Sequence, residues 1–196
     1  MTEERKTDWA QRASGGYEKL GWVSANNLLN HMVNLANIQG GEIVADVGTG
    51  SQAVLNAISP LLTSGGRAIG FDLSPDMLSR RDEKANKQNV LFLADASAIP
   101  LPTQSVDVVT ARMVLHHIVQ TQAVISEMGR ITKPNGKIVV CEYVALDKEV
   151  WEFERRVFDI KEPERHLWTG PQLRELVKVG LNGKSPVPGS SLSYAV

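Results

Sequence analysis

The feature that most restricts what this chain can fold into is an alternation. Five short runs rich in Val, Ile, Leu and Ala read as strands: "EIVADV" (42–47), "RAIGFDL" (67–73), "NVLFLAD" (89–95), "SVDVVTA" (105–111) and "KIVVCEY" (137–143). Helical segments stand between them. "SQAVLNAISPLL" (51–62) is one, with an awkward Pro60 near its end. Ser74-Pro75 reads as an N-cap followed by proline at the first helical position. Val124, Met128 and Ile131 mark a helix before the turn "KPNG" (133–136). The first forty residues also read as helical. Leu28, Met32 and Leu35 share one face, with Leu29, Val33 and Ala36 beside them, and "QGG" (39–41) closes that helix with Gly past its last turn. Apolar strands alternating with helices imply βαβ units, a parallel sheet and helices on both faces. Right-handed crossovers then favour a doubly wound, Rossmann-like α/β sandwich, with ligands outside the carboxyl ends of the strands.

Composition sets the outer limits. A chain of 196 residues suits one domain, organised as a helical cap segment (1–40) and a ligand-binding part (41–196). A net charge of −1 argues against a dominant nucleic-acid or anionic-membrane surface. No apolar run approaches the ~20 residues of a membrane helix, and the charged "MTEERKTDWAQR" lacks the apolar core of a secretion signal. Cys141 alone makes neither an internal disulfide nor a cysteine metal cluster. The default expectation is a cytoplasmic protein with no metal, no nucleic-acid partner and no membrane partner.

The first strand runs into "VADVGTGSQA" (44–53), which places Asp46, Gly48 and Gly50 where strand turns to helix. One reading is a plain tight turn. The other is a nucleotide-type cofactor site, with glycines keeping side chains out of the ligand's path and the next helix offering free N–H groups. Asp72 ends the second strand, where it would accept from ribose hydroxyls, and Asp95 ends the third in the same fashion. "GTGSQA" also fits the loose dinucleotide fingerprint. Two points count against a dinucleotide: Asp46 brings negative charge toward a pyrophosphate, and about forty helical residues precede the site, whereas a dinucleotide fold usually opens with the strand. The same charge suits a ligand bearing an amine and a sulfonium, S-adenosylmethionine (SAM).

Taken together, the motifs resemble the class I SAM-dependent methyltransferases, in particular the small-molecule group that includes the ubiquinone and menaquinone biosynthesis methyltransferases. The resemblance spans Tyr17 to Leu181. "VADVGTGSQ" is similar to the family's first motif and "GFDLSPDML" to its second. "LFLADASAIPLPTQSVDVV" resembles the adenine-binding stretch, "ARMVLHHI" the segment passing under the methionine part, and "EMGRITKPNGKIVVCEY" the helix, turn and strand that follow. The resemblance implies cofactor contacts at Tyr17, Asp46, Gly48, Thr49, Gly50, Asp72, Leu73, Met77, Asp95, Ala96 and Arg112. Gln52 departs from it, standing where relatives carry a small residue, either crowding or hydrogen-bonding the carboxylate of SAM. So does the C-terminus, where "LVKVGLNGKSPVPGSSLSYAV" has room for one more strand rather than the family's antiparallel hairpin. An incomplete hairpin leaves a sheet edge for a partner, and homodimerisation is one expectation.

Methyl transfer asks for alignment more than for chemistry, plus a base if the acceptor must lose a proton. The candidates are His116 and His117 after the fourth strand, read either as base or as loop support. His166, in "KEPERHLW", resembles a segment where relatives carry Arg-Asp-Pro-Ser-His; Lys161 and Glu162 replace the Arg and Asp. Thr169 with Gln172 reads as a capping box. Glu142 is either a substrate or histidine partner or a solvated strand end. Arg112 pairs either with the methionine carboxylate or with Asp107. Trp151, Phe153, Phe158 and Trp168 hint at an apolar or planar substrate, with core packing the better reading. The expected function is methyl transfer from SAM to a small molecule; the alternatives are a SAM-binding protein without catalysis and a nicotinamide-dependent oxidoreductase.

Overall fold

The computed structural model describes residues 26–80, 88–161, 166–181 and 192–195. Tyr17, Glu162 and the first part of the N-terminal segment lie outside them. The strands are β1 (Ile43–Val47), β2 (Arg67–Asp72), β3 (Val90–Leu93), β4 (Val106–Arg112), β5 (Thr132–Cys141), β6 (Val144–Ala145), β7 (Trp168–Thr169) and β8 (Leu192–Ala195). The helices are α1 (Asn26–Ala36), α2 (Ala53–Ile58), α3 (Pro75–Ser79), α4 (Thr121–Ile131), α5 (Lys148–Lys161) and α6 (Gly170–Gly180). Six strands form one sheet in the order β3-β2-β1-β4-β5-β8, and every neighbouring pair is parallel. This is the expected Rossmann-like sandwich. Strand order reverses between β1 and β4, so the crevice at their carboxyl ends is the switch point.

Both faces of the sheet are covered, which is why the strands read as continuous apolar runs. Val44, Val108, Val139 and Cys141 point to the face covered by α1 and α2, where Met32, Ala36, Val54 and Ile58 are buried. Ala45, Val47, Val109, Ala111 and Val140 point to the other face, against Val124, Ile125, Met128 and Ile131 of α4 and Leu173 and Val177 of α6. Each buried Val, Leu, Ile or Met among them contributes roughly 1.5–3 kcal/mol of apolar burial. The described part of the N-terminal segment is therefore a wall of the sheet's core.

Several local expectations change. The first helix stops at Ala36, and Asn37 (φ 49°), not a glycine, takes the left-handed position, its N–H donating to Val33 O at 3.1 Å. Gly40 (φ 119°) serves a later turn and accepts from Thr63 N–H at 2.8 Å. Pro60 falls in a short 3-10 turn (Ser59–Leu61) that ends α2, so it interrupts no α-helical bond. "KPNG" lies inside the bounds of β5 as an irregularity: Val106 pairs with Thr132, and Val108 already with Lys137. That strand stops at Cys141, before Glu142 and Tyr143. Ser74 caps α3 as expected, accepting from Met77 N–H at 3.3 Å. At the C-terminal edge the described residues supply the one further strand, β8, which runs parallel to β5. A pairing absent from the sequence reading is β6 with β7, which brings the 166–169 stretch back beside the end of β5.

Candidate active site

The glycine loop lies across the end of β2. Gly48 and Thr49 both donate their N–H groups to Phe71 O, at 2.8 and 2.9 Å, and Gly50 N–H donates to Asp72 Oδ2 at 2.8 Å. Gly48 (φ 68°) and Gly50 (φ 50°) take a backbone form that costs other residues about 1–2 kcal/mol. Their open faces are not empty. A Cβ on Gly48 would stand 2.2 Å from Val114 Cγ2, and one on Gly50 3.1 Å from Met77 Cε. Gly70 has a related task, since a Cβ there would stand 2.7 Å from Thr49 Cγ2. Sequence reading passed over Gly70, although an isolated glycine inside an apolar strand is the usual signal of close approach.

These bonds withdraw three amides of the loop from any anion. The amides of Gly48, Thr49 and Gly50 are already engaged, and α2 has only six residues. What the site offers instead is carboxylate. Asp46 is 1% exposed and accepts from Thr110 Oγ1 at 2.6 Å. Burial pushes its pKa up to about 6, against the opposing pull of Thr110, Thr49 and Arg112, with the charge of Asp72 adding to the rise. Asp46 therefore lies beneath the loop rather than open to the crevice. The Thr49 hydroxyl lies near enough to favour the Asp46 charge but makes no hydrogen bond of its own, although it is buried.

Asp72 is half-buried. Its carboxylate accepts from Gly50 N–H and from Ser74 N–H at 2.8 Å, with Leu73 N–H adding a third contact. Desolvation still raises its pKa above the ordinary value. A carboxylate has about four acceptor positions, so roughly one remains for a ligand hydroxyl. Asp95 is exposed and accepts Ser97 N–H and Ser97 Oγ at 2.8 and 2.7 Å, both on Oδ1. Those bonds hold its pKa below the usual carboxylate value. The three acids gather at adjacent strand ends, because Ala94 N–H donates to Asp72 O at 2.9 Å just as the glycine loop donates to Phe71 O. Leu73 is 41% exposed, Met77 is buried under Gly50, and Ala96 packs against the core.

Gln52 is buried, with no hydrogen-bond partner for its side-chain Nε2. It is 0% exposed, in a left-handed form (φ 70°), and Asn89 Nδ2 donates to its Oε1 at 3.4 Å. Asn56 of α2 and Ser59 of the following 3-10 turn also bond Asn89, just before β3. Arg112 stands on the Asp46 side, where its charge favours the ionised forms of Asp46 and Cys141. It does not pair with Asp107, which sits at the other end of β4 and binds Lys133 Nζ and Ile43 N–H, each at 2.9 Å. Burial pushes the Cys141 thiol up to about 11, so it is no nucleophile.

Beyond β4 the histidines come together. Glu142 is 5% exposed, not a solvated strand end. It meets His116 Nδ1 at 2.5 Å and accepts from Leu115 N–H and Tyr143 N–H at 2.8 Å each. The rings of His116 and His117 lie 3.9 Å apart between centroids. His166 N–H donates to His116 O at 2.8 Å, and the His166 ring stacks on Trp168 at 5.5 Å. Thr169 N–H donates to Gln172 Oε1 at 2.8 Å, the capping arrangement expected for α6. Trp151 Nε1–H donates to Leu167 O at 2.6 Å, tying α5 to the same stretch. Phe153 is 63% exposed, so core packing is not its role; the side chain of Phe158 lies outside the described residues. Among the described residues, no three His, Cys, Asp or Glu side chains form a metal-binding group, and no helix is long and apolar enough to cross a membrane.

A parallel doubly wound sheet with carboxylates at its switch point fits the class I SAM-dependent methyltransferases. Residues 45–140 of the chain match the model of a methyltransferase domain. The chain is 29% identical over 138 residues to a ubiquinone/menaquinone biosynthesis C-methyltransferase of Burkholderia cenocepacia, a match covering 69% of this chain and 55% of the relative. The chain thus spans about half the length of that curated relative. Its fold is shared with the YcgJ protein from Bacillus subtilis (TM-score 0.71, 21% identity, covering 79% of this chain and 68% of that one). It is also shared with a phosphoethanolamine N-methyltransferase from Haemonchus contortus, solved with phosphomonomethylethanolamine and S-adenosylhomocysteine (TM-score 0.67, 21% identity, 79% of this chain, 36% of that one). The residues present fit SAM, the cofactor of this family. Asp46 sets a buried acid beneath the loop, Asp72 keeps an acceptor position, and the buried Thr49 hydroxyl lacks a partner.

Proposed function

We propose that the protein transfers a methyl group from SAM to a small-molecule acceptor. One observation carries the reading: Asp46, Asp72 and Asp95 gather at the ends of β1, β2 and β3, around a loop whose amides are spent on the protein itself. Such a site favours a cationic adenosyl ligand and disfavours a pyrophosphate, which needs free amides.

In this proposal Asp72 holds the ribose through its remaining acceptor position, and Asp95 offers Oδ2 to the adenine amine. Asp46 supplies buried counter-charge from below, steadied by Thr110. Gly48, Thr49 and Gly50 form the floor. Leu73, Met77 and Ala96 supply apolar walls, Arg112 answers a carboxylate, and Tyr17 belongs to the same set. When bound, SAM supplies a methyl already activated on a sulfonium, whose sulfur keeps the bonding electrons as the methyl leaves. The chain's own work is to align the acceptor, keep water out and receive a proton, for which His116, His117 and His166 are at hand.

The relative named above is a C-methyltransferase of quinone biosynthesis, so a reduced naphthoquinone is the first acceptor to try. Incubation with SAM should give a product one CH2 heavier together with S-adenosylhomocysteine; SAM that binds but is never consumed across an acceptor panel would contradict methyl transfer. Work in the cytoplasm and homodimerisation at the β8 edge are part of the same proposal. Light scattering after size exclusion checks the second, and a clean monomer would count against it.

A further inference from the structure

Glu142 is a buried acid that the cofactor reading leaves unused, and its surroundings are unusually specific. We propose that Glu142 is the positioning residue for His116: it keeps the proton on Nδ1, so that Nε2 receives the proton the methyl acceptor gives up. The proposal rests on the methyl-transfer reading above and assigns the base within it.

Glu142 and His116 are 5% and 2% exposed, and the Oε1 to Nδ1 separation is 2.5 Å. The other oxygen of Glu142, Oε2, accepts from Leu115 N–H at 2.8 Å and faces His116 N–H at 3.4 Å; Tyr143 N–H donates to Oε1 at 2.8 Å. Backbone N–H groups thus donate to both oxygens of Glu142, and a carboxylate can only accept. Nδ1 must therefore carry the hydrogen, and Nε2 is the nitrogen left as acceptor. If the task were only to close the end of β4 onto β5, the backbone bonds would suffice, with Met113 N–H donating to Cys141 O at 2.8 Å beside them. Adding a titratable ring to a buried carboxylate brings a desolvation cost that apolar packing would avoid.

Placement agrees. Val114, two residues before His116, fills the space above Gly48, where an added Cβ would stand 2.2 Å from Val114 Cγ2. Met113 holds a left-handed backbone (φ 52°), a strain usually kept where a loop must be aimed. The segment carrying His116 is thus clamped directly onto the cofactor loop. His117 packs on the His116 ring, and His166 hangs on the His116 carbonyl, so orienting His116 orients the cluster. As the acceptor atom gains its bond to the methyl carbon, its bond to hydrogen breaks. That proton goes to Nε2, while Glu142 keeps its charge and Nδ1 keeps its hydrogen.

The test is nitrogen NMR of the imidazole rings in protein labelled at histidine, made tractable by only four histidines in the chain. The wild type should show His116 protonated on Nδ1 with Nε2 bare. Glu142→Gln, whose amide can donate to Nδ1, should move the hydrogen to Nε2. The same variant should lower methylation of reduced naphthoquinone by about 100-fold or more, while SAM affinity by calorimetry stays within about twofold. A wild-type ring protonated on Nε2 would overturn the proposal, even if the Gln variant fails to fold. So would a variant with the shifted proton and undiminished turnover. Failure of the parent reading looks different: no heat with SAM, or SAM bound with no acceptor methylated, while the wild-type ring spectrum still decides what Glu142 does.

Discussion

The ends of β1, β2 and β3 and the ends of β4 and β5 both carry carboxylates, but they use them differently. On the first side Asp72 accepts from Gly50 of the glycine loop and from Ser74, Asp95 from Ser97, and Asp46 from Thr110 across the β1–β4 pair. Their shifts point in different directions: burial raises Asp46 and Asp72, while Ser97 lowers Asp95. On the second side one carboxylate, Glu142, holds a histidine ring. In the proposed methyl transfer the difference would separate two duties: one half would fix a charged, already reactive donor, and the other would orient a group that moves a proton. Val114 joins the halves, because it grows from the β4 segment and rests on Gly48.

The strongest way to break this division is at that joint. Gly48→Ala adds a Cβ 2.2 Å from Val114 Cγ2 on a backbone with φ 68°, so overpacking and backbone strain combine. A loss of about 2–5 kcal/mol in urea unfolding is expected. Gly48→Ala with Val114→Ala should lose less than the two single losses summed, whereas Gly41→Ala, which meets nothing within 4 Å, should cost little. Strict additivity of the pair would show that the halves are not joined there.

Next is the buried charge of Asp46. Its folded pKa of about 6 lies above the ordinary 3.8, so the folded state binds the proton more tightly. The cost of the charge is present in full above about pH 6 and is relieved as pH falls through that value toward 4. Asp46→Asn should therefore raise stability at pH 8 by about 3 kcal/mol, with the gain gone near pH 4. Urea titrations at both pH values check this, and a pH-independent difference would contradict it. Asp72→Ala is expected to weaken SAM binding by about 1–3 kcal/mol in calorimetry and to lower stability, because Gly50 and Ser74 lose their acceptor. Unchanged affinity would place the ribose elsewhere. The smallest effect should come from Gln172→Ala, which removes the acceptor for Thr169 N–H. Roughly 0.5–1 kcal/mol of stability should go, with SAM affinity untouched, since α6 anchors only the acceptor side.

The donor half was largely legible in the chain, because its signals are local. Gly48, Gly50, Asp72 and Asp95 stand at fixed offsets from strands that announce themselves by apolar runs, and Ser74-Pro75 marks its own helix start. What sequence could not show there was direction. Asp46 faces Thr110 in a strand 64 residues away, and Gln52 turns its amide toward Asn89, 37 residues on. The acceptor half was legible only as separate residues. His116 and Glu142 are 26 positions apart, and their meeting depends on Met113 bonding to the last residue of β5. His166 reaches them through the short β6–β7 pairing, whose two-residue strands carry no periodicity to read.

The most direct measurement is a calorimetric titration of the wild-type protein with SAM, run beside NAD and NADP under the same conditions. The account predicts saturable binding of SAM and no heat from either dinucleotide. Saturable binding of a dinucleotide, with none of SAM, would contradict it.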